Sequence, residues 1–113
     1  MKIRCECGET IVDQTDFLPY KGHIIADRDL FYFFDDIDKS IEEVTLGQIE
    51  KETAGMRIRR LAVTITRLAY QCESCGMLFI ENADRDLEVY SKMDRANQNT
   101  LFGSHFGENW KPR

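Results

Sequence analysis

Three features of this sequence predict an α+β fold. Two close cysteine pairs stand far apart in the chain, short β-type stretches flank each pair, and two stretches with helical spacing lie between them. The arrangement expected is an antiparallel zinc-ribbon sheet with a two-helix insertion between its two cysteine knuckles. Residues 1–113 are read as one such domain, with the helical insert at about 28–66.

The first pair is Cys5-Glu6-Cys7-Gly8 and the second is Cys72-Glu73-Ser74-Cys75-Gly76, with 64 residues, 8 to 71, between Cys7 and Cys72. Zinc takes four soft donors in a tetrahedron, and two short thiolate loops supply them. A glycine after each pair lets the backbone turn. Lys2-Ile3-Arg4 leads into the first pair and Thr10-Ile11-Val12 leaves it, while Leu68-Ala69-Tyr70-Gln71 and Met77-Leu78-Phe79-Ile80 flank the second. Two disulfides, or four idle thiols, are the competing readings of the same cysteines. Under the zinc reading Cys5, Cys7, Cys72 and Cys75 hold one Zn2+ per chain. Four thiolates leave no position for a catalytic water, so the ion's role is structural. Metal binding in small zinc modules is worth about 10–16 kcal/mol and becomes folding free energy. Closing the long loop costs on the order of 4 kcal/mol of chain entropy.

In the insert, Pro19 and Gly22 mark a loop, with a short strand at about Gly22–Ala26. Residues 29–44 have helical spacing, with Asp27 or Asp29 as cap and first-turn acids that suit the helix dipole. Leu30, Phe34, Ile37, Ile41 and Val44 form its apolar stripe. Tyr32, Asp35, Asp36, Lys39, Glu42 and Glu43 fall on the outer face, and Gly47 ends the helix. A second helix is expected over 48–66, where Ile49, Met56, Ile58, Leu61, Ala62 and Ile65 have usable spacing. Val63-Thr64-Ile65-Thr66 is β-branched, so the helix is expected to give way near residue 65 to a strand running into Cys72.

Beyond the second pair, residues 81–86 form a turn and Leu87-Glu88-Val89-Tyr90 a further strand. The end of the chain, Leu101 to Trp110, carries too much apolar area to leave in water and is expected to pack back, with Trp110 as anchor. The expected core is Leu30, Phe34, Ile37, Ile41, Leu61, Ile65, Leu78 and Ile80, and on that basis Phe34→Ala costs about 3–5 kcal/mol.

Composition narrows the function. Hydrophobic residues are 42% and charged residues 31% of the chain, an ordinary globular balance. No apolar run reaches the roughly 18 residues of a membrane span. Met1-Lys2-Ile3-Arg4-Cys5 has no apolar h-region, which predicts no signal peptide and a cytoplasmic location. The net charge of −5 argues against a generic phosphate-backbone binder and for a basic partner. Residues 27–52 hold nine acids against three bases. Arg57, Arg59, Arg60 and Arg67 follow with no acid among them, so the two helices are expected to attract each other as an antiparallel pair. His23 and His105 sit in no nucleophile or hydrolase motif, and the sequence has no phosphate-binding loop. An enzyme is not expected.

Several stretches together resemble a family: Cys5-x-Cys7-Gly8, Asp16-Phe17-Leu18-Pro19-Tyr20-Lys21, Phe33-Phe34-Asp35-x-Ile37-Asp38, Tyr70-Gln71-Cys72-x-x-Cys75-Gly76-x-Leu78-Phe79 and Gly107-Glu108-Asn109-Trp110-Lys111. They are similar to a group of small bacterial zinc-ribbon proteins of unassigned activity. The resemblance implies an immunity protein that binds and neutralises a toxin. Its physics requires an acidic surface that steers a basic toxin domain, with an aromatic anchor. Tyr32, Asp35, Asp36, Glu42 and Glu43 are the candidate partner-binding residues. The competing classes are a nucleic-acid-binding zinc ribbon using the four arginines, and an adaptor subunit of a larger complex.

Overall fold

The computed structural model describes residues 1–94 and 98–107. It is α+β, with antiparallel strand pairs and two helices. The elements are β1 (Lys2–Arg4), β2 (Thr10–Val12), β3 (Lys21–Ile25), α1 (Asp27–Thr45), α2 (Lys51–Ile65), β4 (Thr66–Gln71), β5 (Leu78–Glu81) and β6 (Leu87–Tyr90). Strands β1 and β2 form a two-stranded sheet, and the others form a four-stranded sheet in the order β3-β4-β5-β6. No helix among the described residues is long and apolar enough to cross a membrane. Two compact units emerge, Met1–His23 with Arg67–Arg113, and Ile24–Thr66.

The first unit is built from short hairpins. Ile3 pairs with Ile11 across β1–β2, and Tyr70 pairs with Phe79 across β4–β5. These four side chains, with Cys5 and Cys72, are its buried core. Parity along β5 differs from the expected core: Phe79 is buried, while Leu78 and Ile80 are half-buried on the other side of the strand. A period-2 strand buries one parity of residues on its core face, and here that parity is Phe79's.

The second unit is a helical hairpin. Helix α2 holds through Ile65 and the strand starts at Thr66, so the β-branched run divides where expected. Helix α1 begins directly after Ala26, with no side-chain cap. It ends at Leu46, with Gly47 in the left-handed region at φ 73° and its N–H donated to the Val44 carbonyl.

The phase of α1 corrects the sequence expectation. Leu30, Ile37 and Val44 turn inward, but Phe34 (46% exposed) and Ile41 (57% exposed) do not. In their place the helix turns in Phe33, Asp36, Ser40 and Glu43. Ser40 is fully buried because the Arg57 guanidinium donates to its Oγ from Nη2 at 2.8 Å and Nε at 3.2 Å. The same Nη2 meets Glu43 Oε2 at 2.6 Å. One arginine on α2 thus fixes the roll of α1, at the expense of exposing one edge of its apolar stripe. Hydrophobicity alone cannot register a polar contact of this kind.

Two outcomes follow for chemical denaturation. Phe34→Ala should cost about 1 kcal/mol or less, whereas Phe79→Ala should cost about 3–5 kcal/mol, because only Phe79 leaves a cavity. Arg57→Ala should cost about 1–3 kcal/mol, since it strands a buried hydroxyl and a half-buried carboxylate. Equal losses at Phe34 and Phe79 would contradict this placement of the core.

Candidate metal centre

Each cysteine pair sits in a tight loop between antiparallel strands. In the first, Gly8 donates its N–H to the Cys5 carbonyl at 3.0 Å, and Cys5 donates to the Glu9 carbonyl at 2.9 Å. In the second, Gly76 donates to the Cys72 carbonyl at 2.8 Å, and Cys72 donates to Met77 at 2.9 Å. The two loops share a hydrogen-bond pattern although one holds C-x-C and the other C-x-x-C. Gly8 and Gly76 have φ of 100° and 83°, a region that a side chain rarely tolerates.

The loops bring all four sulfurs together. Cys5 Sγ lies 3.4 Å from Cys75 Sγ, and Cys7 Sγ lies 3.6 Å from Cys72 Sγ. The four Sγ atoms are within 4.8 Å of one another. No disulfide is formed at these separations, since bonded sulfurs are about 2.05 Å apart, and all four cysteines are free in this structure. A tetrahedron with metal–sulfur bonds of about 2.3 Å puts its sulfurs about 3.8 Å apart, so the donor set fits a metal ion. Cys5 and Cys72 are buried, Cys75 is half-buried and Cys7 is exposed. Burial pushes the Cys5 thiol up to about 12, the N–H of Cys7 opposes this, and contacts with the other three sulfurs add to the rise.

Residues with no signal in the cysteine spacing hold these loops. Fully buried Tyr70, two residues before Cys72, donates its hydroxyl to Asp13 Oδ2. Lys21 Nζ pairs with the same carboxylate at 2.8 Å, and Tyr20 donates its hydroxyl to the Val12 carbonyl. Lys21 and Tyr70 together hold the Asp13 carboxyl below the usual carboxylate range. Burial, reinforced by Asp13, pushes the Tyr70 phenol well above its ordinary value.

The C-terminal segment closes over the second loop. Asn99 Nδ2 donates to the Glu73 carbonyl at 3.1 Å, and its Oδ1 accepts from Lys92 Nζ at 2.7 Å. Buried Gln71 accepts the Leu101 N–H at 3.0 Å. The Phe102 ring covers Gly22 closely enough that a Cβ there would overlap it. Of the tail expected to pack back, Phe102 does so, while Leu101 is tied by its N–H with its side chain exposed and Phe106 is 77% exposed; Trp110 lies outside the described residues.

The remaining candidates divide. Tyr32, Asp35 and Glu42 are exposed on α1, while Asp36 and Glu43 are half-buried rather than on its outer face. Asp36 Oδ2 is enclosed with no hydrogen-bond partner among the described residues. Arg57 is committed to Ser40 and Glu43, Arg59 and Arg60 are exposed, and Arg67 is half-buried. His23 and His105 are both exposed.

With this geometry in place, comparison with known proteins adds one match. The family described as Domain of unknown function (DUF8617) matches residues 1–102, a span that includes both cysteine pairs and both helices. No curated protein and no solved structure matches the chain.

Asp13 generates a pH prediction. Its folded pKa is depressed, so its contribution is complete above the unfolded carboxylate value of about 4 and is lost as pH falls through the lower folded value. Asp13→Asn should lower stability by about 1.5–3 kcal/mol at neutral pH. The gap between wild type and variant, followed by denaturant midpoints against pH, should close only on the acid side of pH 4. A gap that closes between pH 5 and 8 would contradict this assignment.

Proposed function

The chain belongs to the DUF8617 family, and we propose that it is a non-enzymatic protein-binding module organised around one structural Zn2+. In this reading the ion is held by Cys5, Cys7, Cys72 and Cys75 in a zinc-ribbon arrangement. The supporting observation is the convergence of four free sulfurs within 4.8 Å from two similarly bonded loops. Four soft donors favour zinc, and with all four engaged the ion cross-links chain segments rather than activating water.

The partner in this reading is a basic protein, and the module is an immunity protein for a toxin domain. Tyr32, Asp35 and Glu42 are exposed on a helix carrying seven acids against two bases. Acids steer a basic partner, and an exposed tyrosine buries a large area at small entropic cost. Asp36 adds its charge from a half-buried position, whereas Glu43 is compensated by Arg57.

Native mass spectrometry of the purified chain should show one zinc per chain. Cys72→Ser should lose it and should lower stability by about 4 kcal/mol or more, as expected for loss of a structural metal. Intact protein with two disulfides and no metal would end the zinc reading. For the partner, combining Tyr32→Ala, Asp35→Lys and Glu42→Lys should abolish protection of cells against a cognate basic toxin. Expression and zinc content should not change, because the three sites are exposed. Full protection by that variant would remove this surface from the function.

A further inference from the structure

The roll of α1 set by Arg57 leaves apolar side chains of the helical hairpin exposed. Phe31, Phe34, Ile41, Met56 and Val63 are between 46% and 74% exposed. At about 100° per residue, Phe31, Phe34 and Ile41 share one side of α1, and Met56, Arg59 and Val63 share one side of α2. Ile41 on α1 and Met56 and Arg59 on α2 place parts of these two sides around one groove. Ile41, Val44, Ala54, Met56, Ile58 and Arg59 line a single groove of about 630 Å³ between the helices. Arg57 and Glu43 pair on the opposite side of the hairpin. Phe31 and Phe34 meet edge to face, ring centroids 6.2 Å apart, which makes a firm apolar ridge beside the groove.

Charge identifies the occupant. Helix α1 carries seven acids and two bases, a net −5, and α2 carries four bases and one acid, a net +3. Exposed Asp38 lies among the apolar residues on the α1 side, and exposed Arg59 lies among them on the α2 side. Neither joins an ion pair among the described residues. A surface with an acidic helix on one side and a basic helix on the other is complementary to itself under a two-fold rotation.

We propose that this face is a homodimer interface: two copies pair about a two-fold axis parallel to the hairpin, α1 of each lying on α2 of the other. The result is a four-helix arrangement of antiparallel neighbours, in which Asp38 of one copy meets Arg59 of its partner. Apolar side chains of the groove and of the ridge beside it leave water, and contact of α1 with α1 is disfavoured by like charge. This inference uses neither the zinc reading nor the basic partner.

Sedimentation equilibrium of the full chain tests it. The expected mass is twice the 13.2 kDa of one chain. Ile41→Glu should give a monomer with an unchanged far-UV circular dichroism spectrum. Asp38→Arg and Arg59→Asp should each weaken association by about tenfold or more, because each places like charges across the axis twice. Joined in one chain, the two swaps should restore dimerisation to within about threefold of wild type. A wild-type monomer at about 1 mM, a dimer that survives Ile41→Glu, or a double swap that fails to recover would each overturn the proposal. Because the readout is self-association, its failure leaves the zinc count and the protection assay unaffected.

Discussion

The convergence of four sulfurs is the constraint on which the rest of the first unit depends. The cysteine pairs are 64 residues apart in the chain, and the helical hairpin is threaded between them. Only two short hairpins present the pairs to each other. The core under those hairpins is six side chains, two of which are themselves cysteines. Apolar burial on that scale contributes a few kcal/mol per large side chain, set against a loop closure of about 4 kcal/mol and the ordering of every residue involved. A unit with so few buried apolar groups gains from any cross-link that joins its distant halves.

Polar contacts supplement that small core. Asp13 receives both Lys21 and Tyr70, tying the strand after the first cysteine loop to the strand before the second. Gln71 and Asn99 bind the returning tail to the backbone of the second loop. The Tyr70–Asp13 and Gln71–Leu101 bonds are long-range and part-buried, where a hydrogen bond is worth more and an unmade one costs more than in water. The helical hairpin relies on the same device, with Arg57 satisfying Ser40 and Glu43 together.

These contacts also mark the limit of what was legible in the sequence. The cysteine spacing announced the sulfur cluster, because ligand geometry is local within each pair. The strands beside the pairs and the C-terminal ends of both helices followed from alternation, β-branching and Gly47, whereas α1 starts after Ala26 without the Asp27 or Asp29 cap expected. The roll of α1 did not, since Phe34 and Ser40 compete for the inner face and Arg57, 17 residues beyond Ser40, decides between them. The parity of β5 was ambiguous for a related reason: Leu78, Phe79 and Ile80 are all apolar, so no alternation distinguishes the core side. Asp13 and Asn99 left no trace, because nothing in their neighbours reveals a partner 57 or 26 residues away.

The first unit is a scaffold joined at the sulfur cluster, and the helical hairpin carries exposed charged and apolar side chains. The proposal that matters most for both is that the four cysteines act as one donor set for zinc. X-ray absorption at the zinc edge, on protein purified without added metal, tests that claim most directly. The account predicts a single shell of four sulfur atoms at about 2.3 Å. A shell containing nitrogen or oxygen, or a sample with no zinc and intact folding, would contradict it.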